Sequence, residues 1–196
     1  ADNAGIGDLL IYEIAADVPQ FPSGSGGAGY AVSDSLPAGI TFQEDTIMVY
    51  GINGDKETLL DNSGNSFYTQ TAARPGNGGA SDFTLTFDYE RISSYERIRV
   101  EYRAVLNGDA VLGDSGNVTT ASLAYSNNPS AGWQTRIDSA AVYTYGLDIS
   151  KVDKDGGGFL PGAEFCLYAS QDDITAGKAI PFVRVSEGVY RRASAG

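Results

Sequence analysis

The chain has 196 residues, with 13 Lys+Arg against 25 Asp+Glu and a formal net charge of -12, so nucleic acid and anionic membrane surfaces are poor partners for it. It has no histidine and one cysteine, Cys166. That composition excludes a Ser-His-Asp triad, a Cys-His pair, a histidine zinc site and an intrachain disulfide.

The length suits one ordinary domain plus a fragment, and no apolar run reaches the length of a membrane span. No signal peptide opens the chain, so it reads as a mature or excised piece of something longer. From the N-terminus the dominant period is two. Leu10, Tyr12, Ile14 and Ala16 alternate with Ile11, Glu13 and Ala15, the pattern of a half-buried strand. Turn clusters follow at PSGSGGAG (22–29), DNSGNS (61–66) and RPGNGGASD (74–82). Between the first two, Asp34 stands ahead of Pro37 and Gly39, the setting of a turn-capping aspartate. Phe83, Leu85, Phe87 and Tyr89 alternate with Thr84, Thr86 and Asp88, a second strand. A short helical reading is confined to 92–97, and 25 glycines argue against long helices elsewhere.

The clearest strand comes next: Ile98, Val100, Tyr102, Ala104 and Leu106 on one face, Arg97, Arg99, Glu101 and Arg103 on the other. Asn117 shares parity with Thr119, Ala121, Leu123 and Tyr125, so it either faces inward with them or serves as a turn residue after Gly116. Trp133, Tyr143 and Tyr145 suit an aromatic platform for sugars or, more commonly, core and interdomain contacts. Val142 and Tyr143 end the strand-rich region. Beyond them Leu147, Ile149 and Lys151 fall on one face of an extended segment, which points a lysine the same way as two core aliphatics. A buried unpaired ammonium is costly, so Lys151 needs a partner or a reaction, unless it is an edge lysine kept for solubility beside Asp153 and Lys154. DKDGGG (153–158) resembles the opening of a calcium loop, but no bidentate glutamate follows at the required distance, which leaves a β-turn.

Three stretches together carry a family resemblance: VSDSLPAGITF (32–42), GNVTTASLAYSNNP (116–129), and VYTYGLDISKVD with LPGAEFCLY (142–168). In this order they resemble the second domain and the start of the third domain of a Gram-positive backbone (shaft) pilin, over most of the chain. The resemblance implies an all-β chain: an immunoglobulin-like β-sandwich of the collagen-adhesin A type over residues 1–144, then a partial B-type sandwich over 145–196. Some 50 residues do not supply two packed sheets by themselves, so the B-type portion is incomplete.

The resemblance also implies self-generated Lys-Asn isopeptide bonds. A neutral lysine amine in an apolar site attacks a carboxamide carbon while a protonated carboxyl polarises the amide. Asp34 matches the family's acid. The family's asparagine position falls on Thr119, with Asn117 as a substitute, and its lysine would lie near or just before Ala1, where the chain reads ADNAGIGD without one. Lys151 matches the lysine of the first B-type strand, although related domains place it three residues earlier, here Asp148. Its partners would come from strands outside this chain. In function, the resemblance implies a structural subunit of a cell-wall-anchored, sortase-assembled surface pilus. Its partners would be neighbouring pilin subunits and a class C sortase, with host surface ligands as a further class, and it would need no cofactor or metal. A wall-anchored adhesin built from the same modules is the alternative. A carboxylate-pair glycosidase has no support in the spacing, and a bond formed once and autocatalytically does not make an enzyme.

Overall fold

A computed structural model describes residues 2–22, 27–73, 80–128, 130 and 132–193. Residues 23–26 and 74–79 of two predicted turn clusters, and Pro129, lie outside the described residues. The strand-rich region contains β1 (Asp2–Asn3), β2 (Leu9–Asp17), β3 (Gly29–Ser35), β4 (Ile40–Phe42), β5 (Met48–Asn53), β6 (Lys56–Leu59), β7 (Tyr68–Ala73), β8 (Ala80–Asp88), β9 (Arg97–Leu106), β10 (Asn117–Ser126) and β11 (Gln134–Tyr143). One sheet runs β1-β11-β10-β3-β8-β7; the other runs β2-β9-β5-β6, with β4 also paired to β9.

The period-two segments became the strands β2, β8 and β9. Along β9, Ile98, Val100, Tyr102, Ala104 and Leu106 are fully buried while Arg97 and Arg103 face water. Its neighbour β2 pairs with it antiparallel, Tyr12 opposite Tyr102, so both tyrosines share the inner face. From the other sheet, Tyr30 and Val32 of β3 and Phe83, Leu85 and Phe87 of β8 meet them in one hydrophobic core. Aromatic rings fill its centre. Phe83 meets Tyr102 edge-on at 5.0 Å between centroids, and Tyr12 stacks on Tyr102 at 5.2 Å.

The predicted helical stretch at 92–97 is displaced. A single helical turn, α1 (Tyr89–Ile92), ends where that stretch was to begin, because the Asp88 carboxylate accepts the Glu90 N–H and so caps the helix earlier. Chemistry in DNSGNS behaves as expected of a turn: the Asn62 side chain accepts from the N–H groups of Phe67 and Tyr68, at 2.9 Å each. DKDGGG is likewise a turn, with the Asp153 carboxylate accepting the Asp155 N–H and Gly157 in the left-handed region.

From Tyr145 onward no described residue is fully buried. This stretch holds α2 (Gln171–Ala176) and the hairpin of β12 (Phe182–Ser186) and β13 (Val189–Arg192). The helix went unpredicted. Its signals are local nonetheless: Ser170 accepts the Asp173 N–H at the start and Gly177 closes the end with positive φ. The expected inward face of Leu147, Ile149 and Lys151 is corrected here. All three side chains are exposed, because residues 145–150 join no sheet and no second layer covers them among the described residues.

Candidate functional site

Asp34 lies inside the sandwich. It sits in β3 between Ser33 and Ser35, paired with Phe83 on one side and Ala121 on the other, and is 1% exposed. Of the two readings of Asp34, the turn cap gives way to the buried one, since the turn at Pro37 begins beyond the strand. Across the core the Tyr102 hydroxyl donates to Asp34 Oδ2 at 2.7 Å, and Oδ1 accepts the Ser35 N–H at 2.7 Å. A carboxyl taken out of water needs such donors. Tyr12 completes the cluster by stacking on Tyr102, but its own hydroxyl is buried with no hydrogen-bond partner among the described residues. Burial, then the nearby Asp34, pushes the Tyr12 phenol up to about 12. The same two causes, in the same order, push Tyr102 up further. Sequence reasoning missed both tyrosines as site residues, although each stood on the inner face of a predicted strand.

Asn117 is the first residue of β10 and is 1% exposed, so the turn reading gives way to the inward one. Its amide is engaged at both ends. Oδ1 accepts the Val111 N–H at 2.9 Å, while Nδ2 donates to the carbonyls of Val111 at 3.1 Å and Val142 at 3.3 Å. Gly39 makes room for this clasp, since a Cβ there would lie 2.6 Å from Asn117 Oδ1 and 2.4 Å from the Ala110 Cα. Thr119, where the resemblance would put an asparagine, is buried and donates its hydroxyl to the Ala140 carbonyl at 3.3 Å. The structure thus gathers Asp34, Tyr12 and Tyr102 in one cluster, places Asn117 and Thr119 along the inner side of β10, and leaves Lys151 outside.

The amine is what the interior lacks. Lys56 is the lysine of the strand-rich region, and it is exposed at the β5–β6 hairpin; Lys151, Lys154 and Lys178 are exposed as well. Nor do the aromatic residues form one platform. The Trp133 ring fills the space a Gly29 side chain would take, while Tyr143 packs on Gly116 and Tyr145 donates to Asp114 at 3.3 Å. Trp133 and Tyr143 stand at opposite ends of β11, about 30 Å apart at the strand rise. On the outer face of the second sheet, Arg99 is held by Glu57 at 2.7 Å, Glu101 at 3.3 Å and Glu13 at 3.4 Å and lies over the Tyr50 ring, a cross-strand clamp.

No family model matches the chain. The trypsin-resistant surface T6 protein of Streptococcus pyogenes serotype M6 is 27% identical over 206 residues, covering 94% of this chain and 36% of that protein. The solved T6 backbone pilin superposes with a TM-score of 0.69 at 25% identity, over 96% of this chain and 41% of that one. The likeness is to backbone pilins. A C-terminal fragment of the major pilin of Streptococcus agalactiae shares the fold, with a TM-score of 0.57 at 16% identity over 81% of this chain and 56% of the fragment. These matches agree with the all-β sandwich expected from the sequence, and the chain spans about a third of the length of the curated relative it matches.

Proposed function

We infer that this chain is a shaft segment of a covalently assembled, cell-wall-anchored surface pilus, with a structural and not a catalytic role. One observation carries the reading. The likeness to the T6 backbone pilin runs through nearly the whole chain, the strand-rich region and the exposed stretch after it alike. In this reading residues 1–144 are the A-type module and 145–196 the opening of a B-type module. The exposed apolar residues Leu147, Ile149, Phe159, Phe165 and Val185 are inner-face residues awaiting the strands that pack on them. Neighbouring subunits and a class C sortase are its partners. An immunoblot of the bacterial surface after boiling in detergent tests this. The expected result is a ladder of high-mass species recognised by antibody to this chain, lost on deletion of the sortase; a lone monomer band in the parent strain overturns it.

The cross-linking reading is narrower. Asp34 occupies the place of the promoting acid, buried and hydrogen-bonded, but Tyr12 and Tyr102 surround it where the chemistry needs an amine and a carboxamide. Asn117 acts as a clasp for the loop at Val111, and Lys151 stays an unreacted amine until further strands cover it. Each Lys-Asn bond forms a C–N bond and releases ammonia, so it lowers the mass by about 17 Da. Intact-mass measurement of this chain is expected to match the sequence with no such deficit. A deficit mapping to Lys151 or Asn117 would reverse the assignment.

A further inference from the structure

β5 turns into β6 at a tight bend. Asn53 pairs with Lys56, and between them Gly54 takes the positive φ of 56° that such a turn asks of its first residue, with Asp55 following. Beside this bend runs the loop that enters β9, and its Glu96 is fixed through its backbone. The Glu96 N–H donates to the Ile52 carbonyl at 2.9 Å, its carbonyl accepts the Val18 N–H at 2.9 Å, and the preceding Tyr95 ring lies on Gly51, where a Cβ would fall 2.5 Å from it. So held, Glu96 grips the bend twice. Its N–H is shared with Asn53 Oδ1 at 3.0 Å, and its Oε2 accepts the Gly54 N–H at 3.0 Å. Asn53, Gly54 and Glu96 are all exposed to water.

Those two bonds fall on the two groups that react when an asparagine cyclises onto a following glycine. The Gly54 nitrogen is the nucleophile that closes a five-membered ring on Asn53 Cγ, and an amide nitrogen attacks only as its proton leaves. A carboxylate at 3.0 Å is placed to take that proton. The Asn53 carboxamide oxygen gathers negative charge in the same step, and the Glu96 N–H points at it. The other Asn-Gly pair among the described residues, Asn107-Gly108, is arranged differently. There Nδ2, the leaving nitrogen, is tied to the Ala38 carbonyl and to Thr41 Oγ1 at 2.8 Å each, while Oδ1 accepts the Asp109 N–H at 2.8 Å. Among the described residues no carboxylate accepts the Gly108 N–H.

We propose that Asn53-Gly54 is a self-modifying site, at which Glu96 promotes conversion of the asparagine through a succinimide to aspartate and isoaspartate. Glu96 Oε2 takes the Gly54 N–H proton, the nitrogen lone pair forms a bond to Asn53 Cγ, and the Cγ–Nδ2 bond breaks as Nδ2 carries that proton away in ammonia. Water then opens the ring, its hydroxyl going to carbon and its remaining hydrogen to nitrogen. Opening at the side-chain carbonyl leaves aspartate; opening at the main-chain carbonyl leaves isoaspartate, with the backbone rerouted through the side-chain methylene. The ring form weighs about 17 Da less than the starting chain and the opened product about 1 Da more, since ammonia leaves and water enters. No lysine is consumed, which separates this reaction from a Lys-Asn bond. Either product sets a new carboxylate beside Glu96, and isoaspartate also disturbs the pairing of Asn53 with Lys56, so the hairpin end loosens as the protein ages.

Ageing of the purified chain in warm neutral buffer, followed by peptide mapping with tandem mass spectrometry, tests this. Asn53 is expected to convert at least about tenfold faster than Asn107 in the same sample. Glu96→Gln still accepts from Gly54 but takes no proton, so it is expected to slow Asn53 by about tenfold and leave Asn107 unchanged. Chain unfolded in urea supplies a second readout that does not depend on how the variant folds. With Glu96 no longer in place, Asn53 is expected to convert more slowly there than in the fold. Conversion of Asn107 as fast as Asn53, an unchanged Asn53 rate in Glu96→Gln, or faster Asn53 conversion in urea overturns the proposal.

Discussion

At the scale of single residues, Asp34 and its two tyrosines are the most sensitive point of the interior, because each hydroxyl has a different status. Tyr102 satisfies a buried carboxyl, whereas the Tyr12 hydroxyl has no partner among the described residues. Tyr102→Phe is therefore expected to lower unfolding stability by about 2 kcal/mol in urea titration, and Tyr12→Phe to leave it equal or raise it by about 1 kcal/mol. A larger loss from Tyr12→Phe would mean that its hydroxyl has a partner. Alkaline pH probes the same pair. Tyr12 titrates at about 12 in the fold against 10.0 for an ordinary tyrosine, so the unfolded chain releases this proton first. Stability from this group is full below about pH 10 and declines as pH rises toward about 12. The decline should be shallower in Tyr12→Phe, measured by denaturation at stepped pH. Asn117 is the other sensitive residue. Asn117→Ala strands the Val111 N–H and carbonyl and is expected to cost about 2 kcal/mol, with faster exchange at Val111.

At the scale of elements, burial departs from parity where an edge is left open. β9 sits between β2 and the β4–β5 pair, and its alternation is complete. β10 has the same parity signal, yet Leu123 and Tyr125 on its inner face remain half-buried since the seam beside β11 is uncovered. Gly39 shows how tightly the closed end packs in contrast. Gly39→Ala would drive a methyl into the Ala110 backbone and the Asn117 clasp, for an expected loss of about 1 to 3 kcal/mol by thermal denaturation. The same change at Gly108, where no atom lies near the Cβ position, is expected to be close to neutral.

At the scale of the whole molecule, the strand-rich region owns the core and the stretch after Tyr145 owns almost none of it. Secondary structure alone, without a buried apolar face, holds little free energy against chain entropy. Limited trypsin digestion is thus expected to cut first after Lys151 and Lys154 and to leave a fragment covering the strand-rich region with an unchanged melting temperature. First cuts within β9 or β11 would contradict this division.

Period-two alternation in Leu10–Ala16, Phe83–Phe87 and Ile98–Leu106 was enough to place three of the core strands, because side-chain direction in an extended chain is a local property. The capping signals of Ser170 and Gly177 were equally local, though unread. What the sequence could not settle was which polar residues on those strands face an interior. Asp34 has the neighbours of a turn and became a core carboxyl because Tyr102, 68 residues away, reaches across from the other sheet. Lys151 has the parity of a core residue and became a surface amine because no sheet among the described residues covers it. Direction is written in the chain one residue at a time; burial depends on what the rest of the molecule brings to the other side.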